Sequence, residues 1–241
     1  MLLFNSPLSE QKADRLIGLL ELPENARVLD VGCGRAEFLI RLVAKHGVLG
    51  IGVDRDADLI ADARENARGR VRRGTCGFFE SDIKAESFDD GSFDLALCIG
   101  ATHAFGEGET AYPATLDALS RLVRPGGLLL VGEGYWKRTP DAGYLELIGE
   151  PAGVYRSHED NVRLAADAGL VPLYAAVSSD DEWDHFEWLH RMQVERQAAS
   201  HPGEAEWQDK LLRSRQWRDG YLRWGRTTMG FGFYLLARPG G

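Results

Sequence analysis

An α/β protein built on a mostly parallel sheet is what this sequence predicts, and three observations carry the prediction. Short apolar runs alternate with amphipathic helical stripes along the chain. The runs are apolar almost throughout, as strands covered on both faces must be. The first of them, Val28 to Val31, ends in Gly32-Cys33-Gly34 and passes straight into a helical pattern, the strand, turn and helix of an open α/β sheet.

Taken in order, residues 1–24 read as a helical cover. Ser6-Pro7 fits a helix start with proline in the first turn, and Ala13, Leu16, Ile17 and Leu20 follow at helical spacing. After the first strand, Phe38, Leu39, Leu42 and Val43 make the buried stripe of a helix. Val48 to Asp54 reads as the second strand, Leu59, Ile60, Ala63 and Ala67 as the next helix, Thr75 to Glu80 as the third strand and Phe93 to Gly100 as the fourth. Tyr112, Leu116, Leu119 and Val123 form another stripe, closed by the breaker Arg124-Pro125-Gly126-Gly127, and Leu128 to Val131 is the fifth strand. Ser157 caps a helix carrying Val162, Ala165 and Ala166 that stops at Gly169. Leu173 to Val177 and Met229 to Ala237 are the sixth and seventh strands.

Between the last two strands, residues 180–228 read as a helical insertion, two helices broken near His201-Pro202-Gly203. Trp207, Leu211, Trp217, Tyr221, Leu222 and Trp224 share one broad face there, which needs an apolar cover. If that cover is the protein's own pocket the chain is a monomer; if it is a second copy, a homodimer.

At 241 residues the chain suits one domain, 1–241, able to bury a full core unaided. The three cysteines, Cys33, Cys76 and Cys98, lack CxxC spacing and point to a reducing cytoplasm. No basic leader opens the chain and no apolar run approaches the ~20 residues of a membrane span, so a soluble protein is expected. A net charge of −9 opposes a phosphate-neutralising face and so opposes nucleic acid as partner. The basic cluster Arg68, Arg70, Arg72 and Arg73 reads as a solvated connector.

The glycine loop exposes backbone N–H groups to a ligand. A dinucleotide fingerprint wants a third glycine where this chain has Glu37, which argues against NAD. The stretch Asp30-Val31-Gly32-Cys33-Gly34-Arg35-Ala36 instead resembles the loop of the class I S-adenosylmethionine-dependent methyltransferases, acid-x-Gly-x-Gly-x-Gly, with Ala36 in place of the last glycine. Alanine fits there if the position is already helical, with negative φ.

Three further segments match that family in order and separation: Gly52-Val53-Asp54 ending the second strand, Glu80-Ser81-Asp82-Ile83 after the third and Cys98-Ile99-Gly100-Ala101 ending the fourth, with Arg124 to Gly127 beyond them. The resemblance implies a Rossmann-like three-layer α/β/α sandwich, a seven-stranded sheet with its last strand antiparallel, and residues 180–228 as a lid. It implies S-adenosylmethionine as cofactor, S-adenosylhomocysteine as product and no metal. It assigns Asp54 to the ribose, with Arg55 beside the adenine. Asp82 takes the adenine amino group, with Ile83 on the ring face, and Gly100 and Ala101 lie along the methionyl part. Gly32, Cys33 and Gly34 form the loop itself, and Asp30 faces either the cofactor's ammonium group, directly or through water, or the loop's own N–H groups, the cofactor role being favoured.

For the reacting group, His103 follows the fourth strand at the carboxyl edge of the sheet, where an imidazole can take a proton at neutral pH. Glu133, Tyr135 and Trp136 follow the fifth strand, a second candidate base and an apolar wall. Trp183, His185, Trp188, His190 and Arg191 fall together in the insertion, and His185 and Trp188 are the candidates for reaching a substrate. The expectation is methyl transfer to a small molecule. A protein side chain as acceptor, a non-catalytic cofactor-binding scaffold and a nicotinamide-dependent reductase are the alternatives.

Overall fold

The computed structural model describes residues 2–240. Its strands are β1 (Arg27–Val31), β2 (Leu49–Asp54), β3 (Cys76–Glu80), β4 (Phe93–Ile99), β5 (Val123–Trp136), β6 (Val171–Val177) and β7 (Met229–Ala237). They form one sheet in the order β3-β2-β1-β4-β5-β7-β6, with β7 antiparallel to both its neighbours and the first five strands parallel. The helices of eight residues or more, numbered with one shorter helix, are α1 (Glu10–Gly18), α2 (Glu37–His46), α3 (Ala57–Ala67), α4 (Ala111–Leu122), the short α5 (Ala142–Ile148), α6 (His158–Asp167), α7 (Asp180–Ser200) and α8 (Ala205–Gly220).

Successive side chains of a strand point to opposite faces, and the sheet divides the core in that way. Val28 joins Leu16 and Ile17 of α1, Leu39 of α2 and Ile60 of α3 in one layer. Leu29 and Val31 join Leu116 and Leu119 of α4 and Ala165 of α6 in the other. The reversal of strand order between β1 and β4 opens the crevice at their carboxyl ends where α/β sheets bind ligands.

Several elements depart from expectation. α1 begins at Glu10, capped by Ser9, whose side chain accepts from the Lys12 N–H. Ser6-Pro7 lies ahead of it because Ser178 Oγ donates to the Pro7 carbonyl at 2.5 Å, pinning that stretch across the sheet edge. β5 begins at Val123: the Arg124-to-Gly127 breaker is a bulge within the strand, between the pairs Phe93 with Val123 and Leu95 with Leu128. α5 has too short an apolar pattern to be read in advance.

The aromatic face of α8 does not hold together. A π-turn, Tyr221–Gly225, follows the helix and shifts its phase by its extra residue per turn. Tyr221 is therefore buried, its hydroxyl donating to Asp184, and Trp224 meets Tyr144 of α5, while Trp217 and Leu222 stay partly exposed. The Arg68-to-Arg73 connector is not wholly solvated either: Arg70 forks onto the buried Glu37 carboxylate with contacts of 2.7 and 2.9 Å.

Candidate functional site

A cavity of about 470 Å³ opens at the carboxyl edge of the sheet. All ten residues expected at a cofactor line it: the loop residues Asp30, Gly32, Cys33 and Gly34; Asp54 and Arg55 from the end of β2; Asp82 and Ile83 after β3; and Gly100 and Ala101 after β4. His103, exposed in a single 3₁₀ turn beyond β4, lines it too.

The loop is built by close approach. Gly32 has φ +67°, and a Cβ there would stand 2.2 Å from the Ala101 Cβ, so the turns after β1 and β4 touch where no side chain fits. Ala36 is not helical. It takes φ +57° just before α2, in the left-handed region where the resembled loop has glycine, and α2 starts one residue later.

Glu37, the first residue of α2, also lines the cavity. Burial alone would raise its pKa, but hydrogen bonds from Arg70 and Arg41 outweigh that and hold the carboxyl below its ordinary value. Arg41 Nε reaches Glu37 at 2.6 Å and its other nitrogens reach Glu10 and Asp14, which ties α1 to α2.

Asp54 Oδ2 accepts the Gly34 N–H at 2.8 Å, and Oδ1 accepts the Asp56 N–H at 3.0 Å. Capping of α3 falls to Asp56, whose side chain accepts from Asp58 and Leu59, so Asp54 keeps its remaining lone pairs for the cavity. Asp82 caps the turn Ile83–Ala85 and stands 3.8 Å from Arg55, a solvent-facing pair of little energetic weight. Cys33 lies against Gly52, and burial next to Asp30 and Asp54 pushes its thiol pKa up, away from reactivity.

Asp30 differs from all of these. It is only 5% exposed, and its pKa is pushed up to about 8, first by burial and then by the like charge of Asp54. No hydrogen bond is among the forces acting on it. A buried carboxylate lining a cavity with no donor of its own is a site for a cationic group.

Five of the residues expected at the reaction centre do not line this cavity. Glu133 is buried, its carboxylate accepting the Gly134 N–H at 2.7 Å, and burial raises its pKa. Tyr135 packs on the His158 ring, and Trp136 Nε1 donates to the Ala152 carbonyl at 2.8 Å, so both belong to packing under α5 and α6. His185 is exposed, and Trp188 lines a separate hollow between α7 and α8. The helix presents His190 and Gln193 to the cavity instead.

Sequence reading missed those two because the inward positions of α7 are polar. Glu187 and Arg191 form a buried ion pair at 2.7 Å, and the Trp217 indole donates to Glu187, so no apolar stripe marks the rotation of the helix. It also missed the irregular, bent stretch Leu2 to Leu8, which roofs the cavity and carries no periodic signal.

A methyltransferase domain family matches residues 28–127, the segment that carries β1 to β4 and the whole cofactor side of the cavity. Across 97% of this chain and 94% of its own, the uncharacterized protein YjhP of Escherichia coli is 26% identical. The crystal structure of a SAM-dependent methyltransferase from Geobacter sulfurreducens, in complex with S-adenosyl-L-homocysteine, superposes with a TM-score of 0.87 at 23% identity, over 97% of this chain and 92% of that one. The 27-O-demethylrifamycin SV methyltransferase of Amycolatopsis mediterranei is 26% identical over 66% of this chain and 59% of its own length. Residues 28–127 thus match a methyltransferase domain family, and the chain around them has the fold of that S-adenosylhomocysteine-bound methyltransferase.

Proposed function

We propose that the chain methylates a small molecule, with the donor held along the glycine loop and the acceptor brought to it near His103. The observation that carries this reading is Asp30, a buried carboxylate without a hydrogen-bond donor, lining the cavity beside the loop. It suits the ammonium of an amino-acid moiety. In the same reading the Asp54 carboxylate accepts the ribose hydroxyls, Asp82 the adenine amino group, and Ile83 covers the ring face. Arg55 flanks the adenine, Gly32, Cys33 and Gly34 supply backbone contacts, and Gly100 and Ala101 flank the methionyl part.

S-adenosylmethionine supplies an electrophilic methyl on a sulfonium, a chemistry that needs no metal. The chain's own contribution is alignment, since holding reactants in line can lower a barrier by about 7–11 kcal/mol. His103 takes the acceptor's proton where the acceptor carries one. Glu133, engaged with its own backbone and away from the cavity, has no direct part in this scheme.

A small acceptor is favoured by the modest size of the cavity, about 470 Å³, by the net charge of −9 and by a relative whose name gives 27-O-demethylrifamycin SV as its substrate. In this reading the protein is a single domain that works in the cytoplasm, in keeping with its three free cysteines, as a monomer or homodimer; none of its described helices is long and apolar enough to cross a membrane. The test is a calorimetric titration with S-adenosylmethionine, S-adenosylhomocysteine and NADH, followed by an acceptor screen. Saturable binding of the first two alone supports the reading, and binding of NADH alone overturns it. Cofactor binding with no turnover on any acceptor would favour a scaffold.

A further inference from the structure

The cavity has two unlike halves. Its floor carries the acids Asp30, Asp54 and Asp82 and the backbone of the glycine loop. Its roof is the stretch Leu2 to Leu8, where Leu2, Leu3, Phe4 and Leu8 present apolar surface, and His103, His190 and Gln193 line the cavity too. The roof is held in place rather than loosely laid. Ser178 fixes the Pro7 carbonyl, the Arg41 guanidinium lies 5.9 Å over the Phe4 ring, and Glu182 joins Ser9 and Lys12 at the start of α1 to the start of α7.

Charge accounting then limits what fits beneath it. The lining cations are Arg35, which spends its Nε on Asp62 at 2.7 Å, and Arg55, which faces Asp82. No lysine lines the cavity among the described residues and the stretch Leu2 to Leu8 carries no cation, so a carboxylate or phosphate held beneath it would find its counter-charge only on the cofactor side. The lining acids, Glu37 and Asp56 as well as those three, lie on the glycine-loop helix and the strand ends, and a cationic acceptor would be drawn there, away from the roof. The titratable side chains that line the cavity outside the floor are two imidazoles, His103 and His190.

On the methyltransferase reading above, we infer that the acceptor is an uncharged, largely apolar molecule lodged under Leu2 to Leu8, with a hydroxyl as its reacting group held between His103 and His190. The atoms balance without another reactant. The acceptor oxygen forms the new O–C bond, the sulfonium S–C bond breaks with its electron pair returning to sulfur, and the hydroxyl proton passes to an imidazole nitrogen.

The experiment is calorimetry on protein saturated with S-adenosylhomocysteine, using 1-naphthol, 1-naphthoate and 1-naphthylmethylammonium at neutral pH. Naphthol should bind at least about tenfold tighter than either charged probe, because the charged group would be desolvated without a partner. His190→Ala and, separately, Phe4→Ala should each weaken naphthol binding by about fivefold or more while leaving the S-adenosylhomocysteine affinity within about twofold, which also reports that the variants are folded. Failure of S-adenosylhomocysteine to bind overturns the methyltransferase reading itself. Its binding without a preference for naphthol, no binding of any probe, or naphthol affinity unmoved in both variants overturns the acceptor inference alone.

Discussion

The Asp54 carboxylate accepts the backbone N–H of Gly34 at 2.8 Å, so the end of β2 holds the glycine loop that follows β1. One side chain thereby orders the loop and remains available to a ligand's hydroxyls. Asp54→Ala removes both, and since a hydrogen bond to a charged group is worth about 1.5–3 kcal/mol, S-adenosylhomocysteine affinity should fall by roughly 10–100-fold. Titration of the folded variant checks this, and unchanged affinity would remove Asp54 from the ribose.

Asp30 makes a prediction about pH. Its folded pKa, about 8, lies above the ~3.9 of an unfolded aspartate. The folded state therefore binds this proton more tightly, and the group's destabilising effect is absent below about pH 4, grows as pH rises to about 8 and then levels off. Asp30→Asn should raise the ligand-free melting temperature by several degrees at pH 8 and by little at pH 4. The same variant should bind S-adenosylmethionine more weakly. In the native protein an arriving ammonium should expel the proton, so calorimetry at pH 7 in buffers of different ionisation enthalpy should register proton release.

Glu37 titrates in the opposite sense. Its pKa is depressed by Arg70 and Arg41, so its contribution is present above the unfolded value of about 4.3 and is lost as pH falls through the folded one. Glu37→Ala leaves two arginines without their buried partner and should cost about 1–3 kcal/mol, lowering the melting temperature by roughly 3–10 °C at pH 7. The difference from the parent protein should shrink toward pH 4; a difference that held constant would show that packing, not charge, is what Glu37 provides.

Two small residues of the loop should respond in opposite directions. Gly32→Ala places a Cβ 2.2 Å from that of Ala101 at φ +67°, and should cost several kcal/mol along with most of the cofactor affinity. Ala36→Gly relieves a left-handed alanine at φ +57° and should leave stability unchanged or raise it by about 1 kcal/mol. Denaturant melts of the two variants decide it, and a loss in Ala36→Gly equal to that in Gly32→Ala would contradict this account.

The strands were legible because a sheet covered on both faces demands continuous apolar runs, and the caps Ser157 and Asp56 fall where short polar side chains can accept helix amides. The cofactor side of the cavity was legible for a related reason: Asp30, Asp54, Asp82 and Gly32 sit at strand ends, where position along the chain determines position in space. The roof was not. His190 reaches the cavity through the rotation of α7, which is set by the buried Glu187–Arg191 pair, and Leu2 to Leu8 lies in place through tertiary contacts such as Ser178 to Pro7. Ala36 departs from the helical expectation because alanine's usual preference for the helix yields to a turn whose backbone is dictated by its neighbours.

The contact of Glu182 with Ser9 spans 173 positions in the chain, since the same carboxylate that caps α7 accepts the Ser9 amide and hydroxyl. During synthesis the start of α1 emerges early and its partner only after the sheet's first six strands. At 5–20 residues per second that interval is roughly 10–35 s. Until then the tie between α1 and α7 is missing, and from the emergence of Asp82, 100 residues before Glu182, the glycine loop and its three acids spend roughly 5–20 s without it.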